Sequence, residues 1–334
     1  MTTKIDRAVG IVGIGSYVPA KTVTNKDMEA IVETSDEWIS DRTGIKCRHF
    51  VAENEHTSDL ATKAAERALK DANLTPDDID LIVVATATPD MLFPSTACLV
   101  QHNLNANKAA AYDLSAGCSG FMYSIATASQ FIKTGLYKYV LVIGAEALSR
   151  LMDFTDRNTC VLFGDGAGAV VLGEVPEGYG ILGIHLGSDG GGGPLLSLPA
   201  GGTRIPATEE SVKNRLHYIH MEGNEVFKFA VKIMGEAAFK ALEQAGMQPA
   251  DVDWLIPHQA NIRIIQSAAK RLKMPMEKVV VNVDRYGNTS SASIPIALEE
   301  AIHDGRIKSG QTVVMVGFGA GLTWASTVIR WHHK

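Results

Sequence analysis

The chain has 334 residues, 46 % hydrophobic and 20 % charged, proportions that exclude disorder, collagen and coiled coil. Lysine and arginine number 31 against 37 acidic residues, and the net charge of −6 gives no electrostatic footprint for nucleic acid. At this length two domains or one large α/β unit are expected. No segment approaches the ~18 uninterrupted apolar residues of a membrane span, and the apolar stretch in MTTKIDRAVGIVGIGSYVP is too short and glycine-broken for a secretion signal. The four cysteines, Cys47, Cys98, Cys118 and Cys160, show neither CxxC nor zinc spacing. Reduced thiols, a cytoplasmic location and no metal are the expectation.

Short apolar runs alternate with helical patterns, which is α/β grammar. In the first half, strands are predicted at 8–16, 80–88, 109–115, 139–146 and 167–175. In the second they fall at 180–188, 253–258, 278–283, 312–319 and 325–331. Helices fit 57–73, 118–134, 223–245, 260–273 and 291–304, and the glycine-rich stretch 187–204 reads as the clearest loop.

The chain repeats itself. RALKDANLTPDDIDLIVVAT, from position 67, aligns without gaps on KALEQAGMQPADVDWLIPHQ, from position 240, an offset of 173 with six identities in twenty positions. YVLVIG at 139 and TVVMVG at 312 fall at the same offset. Two duplicated α/β halves, 1–180 and 181–334, are expected to pack about a pseudo-twofold with a site between them.

Cys118 lies at a predicted strand-to-helix junction among small residues, Ala116, Gly117, Ser119 and Gly120, which allow a sharp turn and close approach of substrate. A thiol at a helix N-terminus is expected to be shifted toward the thiolate. The other three cysteines lack this setting. His258 ends a predicted strand in DWLIPHQAN, at the repeat position occupied by Ala85 in the first half. Asn288, in DRYGNTSSASIP, occupies a second strand–turn–helix junction; spacing alone reads it as a turn or helix-capping asparagine. In VGFGAGLTW (316–324) a strand runs into a glycine turn whose N–H groups suit an oxyanion. His332–His333 read as a solvated tail.

Three of these motifs, AGCSGF with Cys118, PHQAN with His258 and GNTSSASIP with Asn288, resemble those of the β-ketoacyl-acyl-carrier-protein synthase III family. TSDEWISDRTGI (34–45), FGDGAGAVVL (163–172) and GFGAGLTW (317–324) are similar to it as well, in order along nearly the whole chain. The resemblance implies a thiolase-like fold, five layers αβαβα, and a homodimer. It also implies a ping-pong condensation initiating type II fatty acid biosynthesis. Cys118 would be acylated by a short acyl-CoA, with acetyl-CoA the common primer. Malonyl-acyl carrier protein would then lose CO₂, its enolate held by His258 and Asn288, and attack the thioester. Backbone N–H groups of Cys118 and Gly319 would form the oxyanion hole.

The same resemblance assigns Thr34, Trp38, Arg42 and Arg157 to coenzyme A, with Trp38 and Arg157 on the adenine, and sends Phe93 to the partner subunit's acyl pocket. Coenzyme A thioester enters as substrate, and no cofactor is bound permanently. An acidic carrier protein needs a local basic face, for which Arg263, Lys270 and Lys273, extended by Lys228 and Lys232, are the candidates.

Rival chemistries fit less well. GFGAGLTW lacks the second cysteine of degradative thiolases, and Asn288 stands where elongating synthases carry a second histidine. No motif matches the glutamate of hydroxymethylglutaryl-CoA synthases, and plant-type polyketide synthases, which share Cys-His-Asn, would be longer. The C-G-S-C-W pattern of papain-like hydrolases is absent, and Val18 breaks a GxGxxG dinucleotide motif. A non-catalytic acyl-binding protein would not need Cys118. The remaining alternative is a related condensing enzyme of secondary metabolism with a different acyl primer.

Overall fold

The computed structural model describes residues 7–332. Its strands are β1 (Val9–Tyr17), β2 (Lys21–Thr24), β3 (Cys47–Phe50), β4 (Leu81–Ala85), β5 (Ala110–Leu114), β6 (Val140–Glu146), β7 (Gly166–Glu174) and β8 (Gly180–Ser188). β9 (Leu196–Ser197), β10 (His220–Met221), β11 (Trp254–Pro257), β12 (Thr312–Gly319) and β13 (Thr323–Arg330) follow. Among the described residues seven helices reach eight residues: α1 (Asp36–Thr43), α2 (Thr57–Asp71), α3 (Thr96–Asn103), α4 (Gly120–Lys133), α5 (Gly223–Gln244), α6 (Ile262–Arg271) and α7 (Ser293–His303).

Two sheets organise the chain. One runs β1-β7-β6-β4-β5, the other β8-β13-β12-β11. In both, the first three neighbours pair antiparallel and the next pair is parallel, so the second sheet repeats the order of the first. The central helices α4 and α7 lie between the sheets in one buried cluster with Phe121, Ile125, Ile294 and Leu298. Outside, α2 and α3 cover the first sheet through Leu60, Ala64 and Val100, and α5 with α6 covers the second through Ala238, Leu242 and Ile265. This is the five-layer αβαβα thiolase arrangement.

The repeated residues do repeated work. Pro76 and Pro249 each open a short 3₁₀ turn, where a missing N–H costs nothing. Asp78 accepts from Thr75 N at 2.9 Å, and Asp251 from Gln248 N at 2.7 Å. Asp80 accepts from Lys138 N and Asp253 from Thr312 N, each pinning the start of the next parallel strand.

The halves part company at one strand. KVVVNV (278–283), expected as a strand, leaves only a parallel bridge of Val279 to Leu255 and then turns into a short helix, Val283–Tyr286. The buried Gln259 side chain takes the place of a ladder. Its amide nitrogen donates to Pro257 O (2.8 Å) and Val280 O (3.1 Å), and its oxygen accepts from Asn282 N (2.9 Å) and Val283 N (3.2 Å).

Other departures are local. The antiparallel pair of β2 with β3 and the helices α1 and α3 lie in segments where no element was expected. Residues 187–204 are more than a loop: they hold a 3₁₀ turn, Gly190–Leu195, and β9, which pairs β10. His332 is half-buried with its ring 5.1 Å from Tyr179, and so is not a solvated tail; His333 lies outside the described residues. No described helix is long and apolar enough to cross a membrane, and no metal-ligating cluster occurs among the described residues.

Candidate active site

Cys118 sits in a 3₁₀ turn, Gly117–Ser119, between β5 and α4. Gly117 takes φ +53°, in the left-handed region. The end of β12 presses on the same turn, and a Cβ on Gly319 would overlap Cys118 N. The backbone of Gly319 is thereby brought against that of Cys118. The thiol is buried, which pushes its pKa up to about 12; the Ser290 hydroxyl opposes the shift and Glu146 adds to it. The expected shift toward the thiolate is reversed. Desolvation outweighs the helix N-terminus, and the sulfur waits as a neutral thiol.

His258 follows β11 and is 1 % exposed. Its backbone N–H donates to Val316 O (2.8 Å), its Nδ1 lies 2.6 Å from Ser293 Oγ, and its ring stands edge-on to Phe318. Gln259 N donates to the same Ser293 oxygen at 3.3 Å; in the tautomer where the Ser293 hydroxyl donates to Nδ1, Nε2 carries the proton and is the ring's donor. Burial pulls the pKa of His258 down to about 3, keeping the ring neutral.

Asn288 is held by its backbone. Its N–H donates to Leu162 O at 2.9 Å, and its carbonyl accepts from Gly164 N at 3.0 Å. Its side-chain oxygen accepts from Ser290 N at 2.9 Å, which leaves the amide NH₂ as a donor. Asn288 lies on the turn before α7, the element that pairs with α4 in the central layer.

Cys118, His258 and Asn288 line one cavity of about 90 Å³, walled by Phe318, Phe227, Leu196 and Met221. Cys118 also opens onto a second, nearly all-apolar cavity of about 110 Å³ bounded by Leu148, Leu151, Phe163, Leu198, Ile219 and Ser290. The sulfur therefore stands between a chamber with two neutral donors and one that offers an apolar group room.

Thr34, Trp38, Arg42 and Arg157 also come together. The guanidinium of Arg42 lies 4.7 Å and that of Arg157 5.0 Å from the Trp38 ring centroid. Arg157 donates to Glu33 O at 3.2 Å, and the shielded Thr34 Oγ1 has no partner. Asn261 Nδ2 donates to Arg42 O at 2.8 Å, and Asn261 lines the cavity shared by Cys118, His258 and Asn288, so cluster and cavity are joined.

The remaining candidates line neither cavity. Phe93 is 85 % exposed on a loop with the exposed Met91 and Leu92, outside both cavities of its own chain. The Arg263 guanidinium is 5.7 Å from the ring of Phe227, a wall of the cavity shared by Cys118, His258 and Asn288. Lys232, Lys270 and Lys273 are exposed, while Lys228 is paired with Glu225 at 2.7 Å.

Sequence reasoning missed Ser290, Ser293, Gln259 and Glu146. The first three sit inside motifs already singled out, so proximity to Asn288 and His258 was an available signal; the end of a buried strand gave none for Glu146.

Two family descriptions match the chain, 3-oxoacyl-[acyl-carrier-protein] synthase III over residues 112–190 and its C-terminal part over 242–331. A β-ketoacyl-[acyl-carrier-protein] synthase III of Caldanaerobacter subterraneus is 61 % identical over 97 % of this chain and 98 % of its own. Among solved structures, a β-ketoacyl-[acyl carrier protein] synthase III from Thermus thermophilus superposes with a TM-score of 0.90 at 50 % identity, covering 97 % of this chain and 99 % of that one. The priming β-ketosynthase of the R1128 polyketide biosynthetic pathway gives a TM-score of 0.90 at 35 % identity, covering 98 % of each chain. The chain belongs to the β-ketoacyl-acyl-carrier-protein synthase III family.

Proposed function

We propose that this condensing acyltransferase initiates type II fatty acid synthesis, with Cys118, His258 and Asn288 as its catalytic residues. Cys118 takes the acyl group of a short acyl-CoA, acetyl-CoA foremost, and coenzyme A departs. Malonyl-acyl carrier protein then loses CO₂, and its enolate attacks the Cys118 thioester to give 3-ketoacyl-acyl carrier protein. The observation that carries this reading is the convergence of a buried thiol and two neutral donors on one cavity. A thioester splits one hard step into two easier ones. His258 and Asn288, both buried along one apolar-walled cavity, can donate to the enolate oxygen. The backbone N–H groups of Cys118 and Gly319 serve as the oxyanion hole, supported by the close approach of their backbones.

Coenzyme A enters over Thr34, Trp38, Arg42 and Arg157. The unpartnered Thr34 hydroxyl and the guanidinium-flanked indole suit an adenine. The exposed Phe93 loop packs on a second copy in a homodimer, reaching its acyl pocket. Arg263, with Lys270, Lys273 and the less available Lys228, receives the acidic carrier protein. The enzyme works in the cytoplasm with no resident cofactor. The chain divides at about residue 180 into a thiol-bearing half and a donor-bearing half.

A panel of acyl-CoAs, each followed by malonyl-acyl carrier protein, tests the reading. Acetyl-CoA is expected to give an acetyl adduct on Cys118 and then an acetoacetyl product. Acylation by no member of the panel would refute the enzyme reading. A sole preference for a different primer would favour the polyketide-priming role that the R1128 likeness suggests.

A further inference from the structure

Acylation of Cys118 releases a thiol proton that none of the residues above is built to take. His258 is neutral and resists protonation. One buried acid, unused so far, lies within reach. Glu146 ends β6 with no exposed surface. Its carboxylate accepts from the hydroxyls of Thr86 (3.3 Å), Thr88 (2.8 Å), Ser290 (3.0 Å) and Ser291 (2.9 Å) and from Ala87 N–H (3.1 Å). Five dipoles surround it, and among the described residues no lysine, arginine or histidine bonds it. Burial pushes the Glu146 pKa up, and the hydrogen bonds from Thr88, Ser291, Ala87 N–H and Ser290 oppose it by favouring the charged form; a mere tie between hydroxyl-bearing loops does not call for an acid at this depth.

Ser290 connects this acid to the sulfur. Its hydroxyl bonds Glu146 Oε1, and Ser290 lines the same cavity as Cys118, on a turn packed against the one that carries the thiol. Ser291 suits two protonation states. Its hydroxyl also reaches Ala85 O at 2.9 Å, so it can turn there and accept from Glu146 Oε1 once that oxygen carries a proton. The other titratable groups facing the trio are accounted for. His258 lies across the catalytic cavity. Asp165, beside Gly166 opposite Glu146 in the sheet, accepts from Val51 N and Ser149, and Asp90 accepts from Ser58.

We propose that Glu146, reached through Ser290, holds the thiol proton of Cys118 for as long as the enzyme is acylated. The step rests on Cys118 being the acylated nucleophile. As the sulfur bonds the acyl carbon its S–H bond breaks. That proton passes to Ser290 Oγ while the serine's own proton passes to Glu146 Oε1. The acyl–sulfur bond of coenzyme A breaks, and the departing thiolate takes a proton from water at the cavity mouth. When condensation expels Cys118 as a thiolate, the relay runs backward and restores the thiol. The one proton drawn from solvent per cycle balances the malonyl carboxylate lost as neutral CO₂.

The test uses the full-length enzyme, acetyl-CoA and two variants. Ser290→Gly removes the hydroxyl at a position of φ +49°, which glycine adopts without strain; Glu146→Gln removes the proton acceptor. Both are expected to slow self-acylation about 100-fold at neutral pH, the usual scale for a lost proton-transfer partner. The deficit shrinks as pH rises and hydroxide ionises the thiol directly. By infrared difference spectroscopy, the wild-type acetyl-enzyme gains the C=O stretch of a protonated carboxylic acid, absent from the free enzyme and from Glu146→Gln. Acylation at the wild-type rate in Ser290→Gly, a pH-independent deficit, or an acetyl-enzyme without the band would overturn the relay. Failure of the wild-type enzyme to acylate at Cys118 would instead refute the proposed function.

Discussion

The two halves of the molecule share a sheet order and differ at the fifth strand. In the first half β5 is complete and delivers Cys118 to the start of α4. In the second the equivalent segment is reduced to the Val279 bridge, and the Gln259 side chain satisfies the freed backbone groups. At the paired strand ends stand Ala85, after four buried residues of β4, and His258, after β11. One copy of the repeat keeps its regular ladder and carries Cys118, the proposed nucleophile. The other gave up a strand and in its place presents His258 and Asn288, each fixed by backbone and serine contacts. The repeat gives the symmetric frame, and loss of symmetry at the facing ends gives the two different sets of side chains presented there.

That contrast can be broken at several points. Cys118→Ser, in the regular half, is expected to abolish the acyl adduct and lower condensation by roughly 10³-fold or more, because the nucleophile and its thioester are both lost. Steady-state turnover with malonyl-acyl carrier protein reads this out. His258→Ala, in the irregular half, is expected to leave self-acylation intact while decarboxylation falls on the order of 10²- to 10³-fold, the usual cost of one preorganised donor. Condensation at a near wild-type rate would remove His258 from the enolate.

Burial sharpens this with a pH test. With its pKa pulled down to about 3, His258 is neutral throughout pH 5–9, so decarboxylation by the preformed acyl-enzyme should show no histidine titration in that window. A step near pH 6.5 would mean that the ring is solvated and charged at its ordinary pKa.

Gln259→Ala strikes the substitute for the missing strand. It strands several buried backbone groups, each worth about 1–3 kcal/mol, and should lower stability by about 3 kcal/mol in a denaturant titration. A loss below about 0.5 kcal/mol would mean that the strand replacement does not depend on this side chain. The smallest expected effect is at the rim. Arg263→Glu should raise KM for the carrier-protein substrate several-fold and spare that for acyl-CoA. An unchanged KM would take Arg263 off the docking surface.

Much of the frame is legible in the sequence because it follows local rules. The six repeated identities mark helix ends, 3₁₀ turns and strand starts, and the glycine-rich elbow marks Cys118. KVVVNV misleads because its β-branched run satisfies strand propensity while a distant side chain, Gln259, claims its hydrogen bonds. The thiol's state was also misread. A helix N-terminus is visible in the pattern of Ala116–Gly120, but the desolvation that outweighs it depends on β12 and the turn carrying Ser290, about 170–200 residues away. Glu146 was invisible for the same reason: its donors come from two loops separated by about two hundred residues.

The division of labour between the halves is tested most directly by intact mass spectrometry of His258→Ala, incubated first with acetyl-CoA and then with malonyl-acyl carrier protein. The expected result is one acetyl group on Cys118 that forms at the wild-type rate and then persists in the presence of the carrier-protein substrate. An adduct that fails to form, or one discharged as fast as in the wild type, would contradict it.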